Sequence, residues 1–441
     1  MQTRFSATQL TDPGTRAMDA ILRKCVHCGF CNAACPTFKL TGDELDGPRG
    51  RIYLVKDMFE DDALPARSVV THIDRCLSCL ACMSACPSGV DYMHLIDHAR
   101  ARIHGQAPRD PGGRLLRLVL AAVLPYPRRL QALAALGRAA VSVAAWFPAP
   151  LRDWMRLLPA PGDNGPAAPL RDRNPATARR RGSVALLAGC VQQVFGGEIN
   201  ESTVRLLNRA GFDVHLLREG GCCGAVEHHL GRETATLRRV RHNVRAWAAR
   251  LRNGEFSTIV INASGCGTMV KDYAHLLRVD PDLAGEAERV SAAASDISEF
   301  LAGTGLSPTK AGVPGNLIVA CQNPCSMQHG QRIRNQPAEL LRACGFEVCE
   351  PDDGHACCGS AGTYNLLQRG FAERLGRQKG AVLRSTGAHI IASGNLGCML
   401  QIRQFVDIPV VHTVQLIDWA SGGLIPPQLT GAGGRPDSQP R

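Results

Sequence analysis

Short apolar segments alternate with amphipathic segments through the second half of the chain. Their composition predicts buried β-strands at 184–187, 214–217, 258–263, 317–320, 346–348 and 389–392. Between the first two, apolar positions such as Ile199, Leu206 and Leu207 share one helical face, and this helix is expected to end at Gly211. The alternation predicts a region of α/β structure.

Two sets of four cysteines repeat along this α/β region. In each set, a single cysteine lies 32 positions before an adjacent Cys-Cys-Gly pair, and one more cysteine follows the pair. The first CCG set is Cys190, Cys222, Cys223 and Cys266, and the second CCG set is Cys325, Cys357, Cys358 and Cys398. Because each cysteine closely follows a predicted strand, parallel strands would bring each set to one edge of a sheet. The repeat predicts two copies of one α/β unit.

Two cysteine motifs of another kind lie in the first hundred residues. Both have the spacing C-x2-C-x2-C-x3-C-P, which is typical of ferredoxins with two [4Fe-4S] clusters, where the fourth cysteine of each run binds the other cluster. The expected ligands are Cys25, Cys28, Cys31 and Cys86 for the first cluster, and Cys76, Cys79, Cys82 and Cys35 for the second. Two zinc sites are the alternative, but four-cysteine zinc sites use separated C-x2-C pairs.

The segment between Cys35 and Cys76 is longer than the loop of a small ferredoxin. It contains a predicted helix over 51–60, so we expect an α-helical ferredoxin domain followed by the duplicated α/β region. The adjacent thiols of the CCG sets could bind or bridge two irons and hold a further iron–sulfur centre. Inert buried thiols or a vicinal disulfide are the alternatives there. Packing is the expected role of three cysteines without a counterpart in the first repeat: Cys321, Cys344 and Cys349.

Composition divides the chain into five predicted parts. Prolines interrupt 159–181, where no stable helix can run, and we place a boundary there. The tail is rich in Gly, Pro and Gln, a composition typical of disorder. The parts are the two-cluster ferredoxin domain at 1–105, an Arg/Pro-rich helical linker at 106–182, CCG domain 1 at 183–310, CCG domain 2 at 311–422 and a disordered tail at 423–441.

Cysteine content and charge limit the possible cellular location and binding partners of the protein. Nineteen cysteines, an odd number with several in tight spacings, favour metal ligation over disulfides and a reducing, cytoplasmic location. The N-terminus has no signal-peptide pattern, and no apolar run is long enough to span a bilayer. The net charge of +11 could favour an anionic partner. An iron–sulfur sensor of nucleic acid is not expected, because no helix-turn-helix or aromatic-basic interleaving is visible.

Leucines and arginines are interleaved between residues 107 and 150. The apolar residues include Leu115, Leu118, Trp146 and Phe147, a composition that suits helices lying on an anionic membrane surface. We therefore expect peripheral attachment to the inner face of the cell membrane. Packing against a partner subunit is the alternative, because the same apolar residues could cover a protein surface.

Five stretches of the chain carry a resemblance to a known family. They are Cys25-Val-His-Cys-Gly-Phe-Cys31, GDELDGPRGRIY from Gly42 to Tyr53, Gly221-Cys-Cys-Gly-Ala-Val226, Ala263-Ser-Gly-Cys-Gly267 and CCGSAGTY from Cys357 to Tyr364. Together they resemble the glycolate oxidase iron–sulfur subunits, within the wider family with paired CCG domains. The resemblance covers nearly the whole chain, apart from the tail and parts of 107–182. The ferredoxin motifs alone would also suit lactate-utilisation, anaerobic glycerol-3-phosphate dehydrogenase and heterodisulfide reductase subunits.

This resemblance implies an electron-transfer subunit. It would receive electrons from FAD-containing subunits that oxidise glycolate to glyoxylate, and pass them toward a quinone acceptor at the membrane. The chain alone is expected to be inactive on glycolate, since no nucleotide-binding fingerprint is visible. The alternatives are the iron–sulfur subunit of a related lactate or glycerol-3-phosphate dehydrogenase, or a heterodisulfide-reductase-like thiol/disulfide redox protein.

Three positions depart from the heterodisulfide reductase pattern. Units of that type end in C-x2-C, whereas Met269 and Gln401 stand three residues after the last cysteine of each set. Many relatives also have His-x-Pro-Cys at the start of the second unit, where this chain has Gln322-Asn-Pro-Cys325. Each CCG set is one thiolate short of that pattern, which argues against a full noncubane cluster in either unit.

Overall fold

A computed structural model of the chain describes residues 1–62, 64–107, 109–140, 170–305, 316–352 and 356–430. The part up to residue 106 is helical, with a core around Met18, Leu22, Ile73 and Leu95. Its predicted helix over 51–60 begins three residues earlier, because a proline fits the first turn of a helix. The helices are Pro13–Lys24, Phe30–Ala33, Pro36–Thr41, Pro48–Glu60, Arg67–Asp74, Ala81–Ser84 and Tyr92–Gln106, with 3-10 turns at Gln9–Thr11 and Glu44–Asp46.

Two helices follow the ferredoxin region, at Pro111–Val123 and Pro127–Ala140. Leu120 packs against Leu230 of the α/β region, and Leu130 joins the large core between the two sheets. These helices therefore rest one face on the α/β region and leave another face to solvent. The rest of the predicted linker up to residue 169, with Trp146 and Phe147, lies outside the described residues.

The first α/β unit is built on five strands in the order β1-β3-β2-β4-β5. β1 is antiparallel to β3, and the other neighbours are parallel. The strands are β1 Arg173–Asn174, β2 Gly182–Leu187, β3 Phe212–Leu216, β4 Thr258–Ile261 and β5 Ala294–Asp296. The helices are Gln192–Phe195, Gly197–Arg209, Ala225–His229, Glu233–Arg252, Ser264–Lys271, Tyr273–Leu276, Ala284–Ala293 and Ile297–Gly303.

The second α/β unit repeats this arrangement with a parallel sheet in the order β7-β6-β8-β9. The order corresponds to β3-β2-β4-β5 of the first unit, as expected from an internal duplication. The strands are β6 Ile318–Gln322, β7 Glu347–Cys349, β8 Ile390–Ser393 and β9 Val410–His412. The helices are Gln336–Ala343, Tyr364–Leu367, Arg369–Ser385, Leu396–Ile402, Thr413–Ala420 and Pro427–Thr430, with a π-helical turn at Ser326–Gly330.

Each apolar segment of the sequence coincides with an observed strand, to within two residues at its ends. Three strands were not expected: β1, β5 and β9, each of two or three residues. All three are outermost in their sheets, and such short strands leave too few positions for a pattern. β1 also shows that the end of the predicted linker adds an edge strand to the first sheet.

The helix before β3 ends where its sequence predicts. It runs over Gly197–Arg209, and Gly211 adopts a φ of +91°. A Cβ atom at this glycine would stand 2.4 Å from the carbonyl oxygen of Arg179. Glycine is therefore required both by the left-handed backbone and by the close approach of the neighbouring chain.

The two sheets share one core. Val184 of β2 and Ile391 of β8 belong to the same continuous cluster of buried side chains. Asp418 of the second unit, fully buried, also accepts hydrogen bonds from Arg205 and Arg209 of the first. The two units are thus packed through an apolar face and tied by a buried carboxylate.

The end of the chain differs from expectation in its described part. A disordered tail was predicted from residue 423, but Pro427–Thr430 forms a helical turn and Leu429 packs against the large core. The apolar contact of Leu429 orders this segment although its glycine and proline content is typical of disorder. Residues 431–441 lie outside the described residues. Within the described ranges, no helix has both the length and the apolar composition needed to cross a bilayer.

Candidate functional site

The structure groups the eight ferredoxin cysteines around two cavities. The first has an open volume of about 430 Å³ and the second about 300 Å³. Cys82, Pro48 and Tyr92 line both, so the cavities are immediate neighbours. The first is lined by Cys25, Cys28, Cys31 and Cys86, and the second by Cys35, Cys76, Cys79 and Cys82. The grouping has the crossed pattern expected of a two-cluster ferredoxin.

The two cavities differ in exposure. Cys28 is exposed at the mouth of the first cavity, where Val26 and Phe30 are 67% and 64% exposed. Cys35, Cys76, Cys79 and Cys82 of the second cavity are all buried. The first cavity therefore opens to the protein surface, and the second lies inside the protein.

Positive φ angles shape both cysteine turns in the same way. His27 and Gly29 have φ angles of 57° and 83°, and Ser78 and Leu80, at the equivalent positions of the second run, have 49° and 63°. A left-handed backbone at alternate residues curls the chain around a centre and turns successive N–H groups inward. For the three residues other than glycine it costs conformational energy, which marks these turns as functional. The sequence signal for this geometry was limited to the cysteine spacing.

The chemistry of the donor set suits an iron–sulfur cluster. Burial raises the pKa of the Cys79 and Cys82 thiols well above the ordinary value, and neighbouring thiols raise it further. The pKa of Cys31 is raised to about 11, again first by burial. Thiolates are the ligand form of cysteine, so such thiols ionise readily only when a metal centre supplies positive charge. The residues present therefore fit a cluster in each cavity.

A buried charge network borders the second cavity. The Arg51 side chain, 1% exposed, donates from Nη2 to Thr37 Oγ1 at 3.0 Å, and its Nη1 lies 3.9 Å from the Cys35 sulfur. Asp46, fully buried, lies 3.7 Å from the Arg51 guanidinium and accepts a hydrogen bond from Arg75 at 2.9 Å. These residues explain part of the GDELDGPRGRIY stretch, because Asp46 and Arg51 both belong to it.

The first CCG set is brought together at one edge of its sheet. Cys190 Sγ lies 3.4 Å from Cys222 Sγ, and Cys223 is within hydrogen-bonding distance of both Cys222 and Cys266. Tyr273 donates its hydroxyl to the Cys223 carbonyl at 2.7 Å and fixes the adjacent pair. All four sulfurs therefore form one group at the carboxyl ends of β2, β3 and β4.

The second CCG set has the same arrangement. Cys325 Sγ lies 3.9 Å from Cys357 Sγ, and Cys358 is within hydrogen-bonding distance of Cys357 and Cys398. Gly359, with a φ of +87°, follows the pair, and a Cβ there would lie 2.6 Å from the Ala372 carbonyl oxygen. Glycine is required at this position for the chain to turn tightly behind the two thiols.

The positions that lack a thiol are filled by other side chains. Met269 is 5% exposed and packs in the core of the first unit. Gln401 accepts a hydrogen bond from Asn365 at 3.0 Å and donates to the Ala372 carbonyl at 3.2 Å. Each CCG set thus offers four thiols and no fifth.

Three cysteines belong to neither the ferredoxin motifs nor the CCG sets. All nineteen thiols are free, including both adjacent pairs. Cys321 and Cys344 lie in the large core, and burial raises the pKa of each to about 12. Cys349 packs against the same core. Ordinary packing accounts for these three residues.

Ionic contacts join the ferredoxin helix Tyr92–Gln106 to the first unit. His94 Nδ1 lies 2.5 Å from Asp91, and its Nε2 lies 2.9 Å from Asp272 across the contact. Burial alone would lower the pKa of His94, but the hydrogen bonds to Asp272 and Asp91 raise it to about 10. At neutral pH the imidazolium therefore bridges two carboxylates from different parts of the protein.

This bridge predicts a pH-dependent stability. The folded pKa of His94 is raised above its ordinary value of 6.5, so its contribution is complete below pH 6.5, decreases above it and is lost as the pH passes 10. We expect Asp272→Asn to lower the free energy of unfolding at pH 6, and the difference from the wild type to shrink toward pH 10. Urea unfolding at both pH values measures it. A difference that grows with pH would contradict the bridge, and Asp62→Asn, in an exposed pair with Arg102, is the control.

Comparisons with known proteins agree with this geometry. Residues 21–90 match the family described as a 4Fe-4S dicluster domain, and residues 184–271 and 319–403 each match the cysteine-rich domain family CCG. A protein named lactate utilization protein A, from Bacillus subtilis (strain 168), is 24% identical over 242 residues, which cover 53% of this chain and 98% of that protein.

Two relatives match along almost their whole length. The glycolate oxidase iron-sulfur subunit of Escherichia coli (strain K12) is 36% identical over 420 residues, covering 95% of this chain and 99% of that protein. The probable glycolate oxidase iron-sulfur subunit of Bacillus subtilis (strain 168) is 28% identical over 447 residues, covering 96% and 99%. With its ferredoxin region and two cysteine-rich domains, the chain belongs to the family of glycolate oxidase iron–sulfur subunits.

Proposed function

We propose that the protein is the electron-transfer subunit of a complex that oxidises glycolate to glyoxylate. FAD-containing partner subunits would take the electrons from glycolate, and this chain would pass them toward a quinone acceptor. The observation that carries the proposal is the pair of adjacent cavities that the eight ferredoxin cysteines line, of which one opens at the surface. A cluster in the surface cavity could accept single electrons from a partner protein, and a cluster in the neighbouring buried cavity could carry them into the protein.

The assignment of ligands follows the cavities. Cys25, Cys28, Cys31 and Cys86 would hold one [4Fe-4S] cluster, which accepts or donates a single electron when bound, and Cys35, Cys76, Cys79 and Cys82 the other. The CCG sets, Cys190, Cys222, Cys223 and Cys266, and Cys325, Cys357, Cys358 and Cys398, would hold at least one further iron–sulfur centre. The grouping of each set within hydrogen-bonding distance supports this, as four clustered thiols are a ligand set for iron.

The chain itself positions the surface cluster for a partner. Val26 and Phe30 flank the exposed Cys28, so a docked protein can bury their apolar area while it brings its flavin close to the cluster. Cys82 and Tyr92 line both cavities and are themselves buried, so the space that an electron would cross is shielded from solvent on their side. The chain's contribution is position and exclusion of solvent, and the redox chemistry belongs to the bound groups.

The chain purified without its partners is expected not to oxidise glycolate. It has cavities lined by thiols but no flavin fingerprint in its sequence, and hydride removal from glycolate requires such a cofactor. The measurement is glycolate-dependent dye reduction by the isolated chain and by the chain co-expressed with the FAD-containing subunits. Dye reduction by the isolated chain, free of flavin, would overturn the proposal, and dye reduction by the complex with lactate in place of glycolate tests the alternative substrate.

We also propose that the helices Pro111–Val123 and Pro127–Ala140 touch the inner face of the cell membrane. Leu115, Leu118 and Leu136 are 63%, 54% and 69% exposed on these helices. Arg114 and Arg138 are exposed beside them, which suits an anionic surface. Arg117, one of the arginines interleaved in this stretch, is instead paired with Asp74 at 2.8 Å and does not contribute.

Liposome binding tests this attachment. The isolated chain is expected to sediment with anionic liposomes at low salt and to be released at high salt, because the exposed arginines contribute electrostatically. Replacing Leu115, Leu118 and Leu136 by Ser should reduce binding several-fold, whereas Val279→Ser, at a position 66% exposed elsewhere on the protein, should not. If only the assembled complex binds, these helices are a docking surface for a partner subunit.

A further inference from the structure

The two CCG sets have different surroundings, although they arose from one repeated pattern. The core around the first set consists of residues from the first unit alone, between 185 and 294, and includes Trp247 and Tyr273. Half of the second set, Cys357 and Cys325, packs in a cluster with Leu77, Cys79 and Ala81 of the ferredoxin region, whereas Cys358 and Cys398 lie in the large core. The second set therefore contacts the wall of the second ferredoxin cavity.

Hydrogen bonds near the second cavity connect the second α/β unit to the ferredoxin region. Tyr364, in the stretch that follows the second Cys-Cys pair, donates its hydroxyl to the Arg75 carbonyl at 3.0 Å, immediately before Cys76. Two residues after Cys82, Ser84 Oγ lies 2.8 Å from His329 Nδ1 of the second unit. Cys79 itself belongs to the same buried cluster as Cys357, and Cys325 packs against that cluster.

The first unit contacts the ferredoxin region through residues outside its own cysteine set, and one of them, His229, lines a pocket with Cys76 and Ser78 of that region. Its ionic contacts reach the helix Tyr92–Gln106, through Asp272 with His94 and through His228 with Asp97. Its cysteine segment contacts the second unit, where Ser264 Oγ lies 2.7 Å from Ser326 Oγ. The two units are thus joined to the ferredoxin region asymmetrically, because thiols of the second set pack against Cys79 whereas the first unit uses residues outside its cysteine set.

We propose that the second ferredoxin cluster exchanges electrons directly with a centre held by the second CCG set, and that the first CCG set does not share this direct contact. The inference rests on the proposed function, because both groups must carry redox centres. Cys35, Cys76, Cys79 and Cys82 would hold the donor cluster, which would lose one electron, and the second CCG set would hold the centre that gains it. No bond is formed or broken in the protein.

Matched double variants test the route, because the duplication offers an equivalent pair in each unit. The full chain is purified anaerobically as wild type, as Cys357→Ser/Cys358→Ser and as Cys222→Ser/Cys223→Ser, and is reduced stepwise with dithionite. EPR power saturation is measured on the signal of the second ferredoxin cluster, identified by its loss in Cys79→Ala. A nearby paramagnetic centre speeds relaxation of that signal. Iron and sulfide are counted in every sample.

The expected result distinguishes the two sets. The half-saturation power should fall several-fold in the Cys357/Cys358 variant and keep its wild-type value in the Cys222/Cys223 variant. Equal saturation in all three proteins, including the case in which the second set holds no redox-active centre, would overturn the route, as would a change confined to the Cys222/Cys223 variant. If a double variant does not fold, Cys398→Ser and Cys266→Ser, which remove one thiol from each set, make the same comparison.

The experiments distinguish failure of the electron route from failure of the proposed function. If the wild-type complex reduces dye with glycolate while the EPR signals of the variants match the wild type, the route is wrong and the function stands. If the EPR pattern is as expected but the complex does not oxidise glycolate, the substrate is wrong and the route stands.

Discussion

Replacing Cys79 by Ala is expected to remove one of two [4Fe-4S] clusters and to stop electron flow through the complex. Cys79 is buried in the wall of the second cavity and contacts the second CCG set, so the change removes a ligand at the junction between the two. A cluster with three thiolates in a buried site is readily lost. Iron should fall by about four atoms per chain. Glycolate-dependent reduction of the acceptor should fall at least about a hundredfold, because the second cluster is the only proposed connection between the first cluster and the second CCG set.

A cysteine outside the cavities provides the control for this variant. Cys344 is fully buried in the large core, distant from either cavity wall in the fold. Cys344→Ala should lower the free energy of unfolding by about 1 kcal/mol through the small cavity it leaves, with the iron content unchanged. Unchanged iron and activity in Cys79→Ala would contradict the ligand assignment, whatever the result for the control.

The Arg51→Met change should lower the reduction potential of the second ferredoxin cluster. The Arg51 guanidinium lies beside the Cys35 sulfur in a buried site, and a positive charge there favours the reduced cluster, which carries one more negative charge. Burial alone would lower the pKa of Arg51, but Cys76, Tyr92, Cys35 and Asp46 raise it, so the charge persists at any working pH. The change also leaves Asp46 with one cation fewer, and the free energy of unfolding should fall by about 3 kcal/mol.

Potentiometric titration followed by EPR measures this shift. Arg51→Lys keeps the charge and should retain most of the potential, although it cannot bond Thr37 and His72 at once as the guanidinium does. Arg49→Met, two residues earlier and paired with Glu44 near the other cavity, should leave the second cluster unchanged. A potential that is equal in Arg51→Met and wild type would show that the arginine only supports the fold.

Local patterns in the sequence predicted much of the α/β region, because parallel strands leave short continuous apolar runs. The equal 32-residue intervals likewise predicted two equivalent units, and the structure brings both thiol sets together. The contact between Cys79 and the second set was not predictable. It joins residues about 280 positions apart, and nothing in either local pattern indicates which unit faces the ferredoxin region.

The turns at the cysteines show another limit of local reasoning. Ser78 and Leu80 give no signal for a left-handed backbone, since neither is a residue type enriched at positive φ. Their positive φ angles arise because the turn must direct three thiols toward one centre. This requirement comes from the tertiary structure and not from local residue preferences. Likewise, Arg51 occurs in a helix as an ordinary basic residue, and only the folded protein shows that its charge is buried beside the thiols.

The core shared by the two sheets has a consequence for the origin of the protein. Either unit alone would present to water the apolar face that now packs between Val184 and Ile391, so an unfused ancestor of one unit would be expected to pair with a second copy of itself. Fusion of the two copies made that pairing permanent and independent of protein concentration. Fusion also allowed the two units to diverge. One thiol set could then pack against the ferredoxin region while the other became surrounded by residues of its own unit.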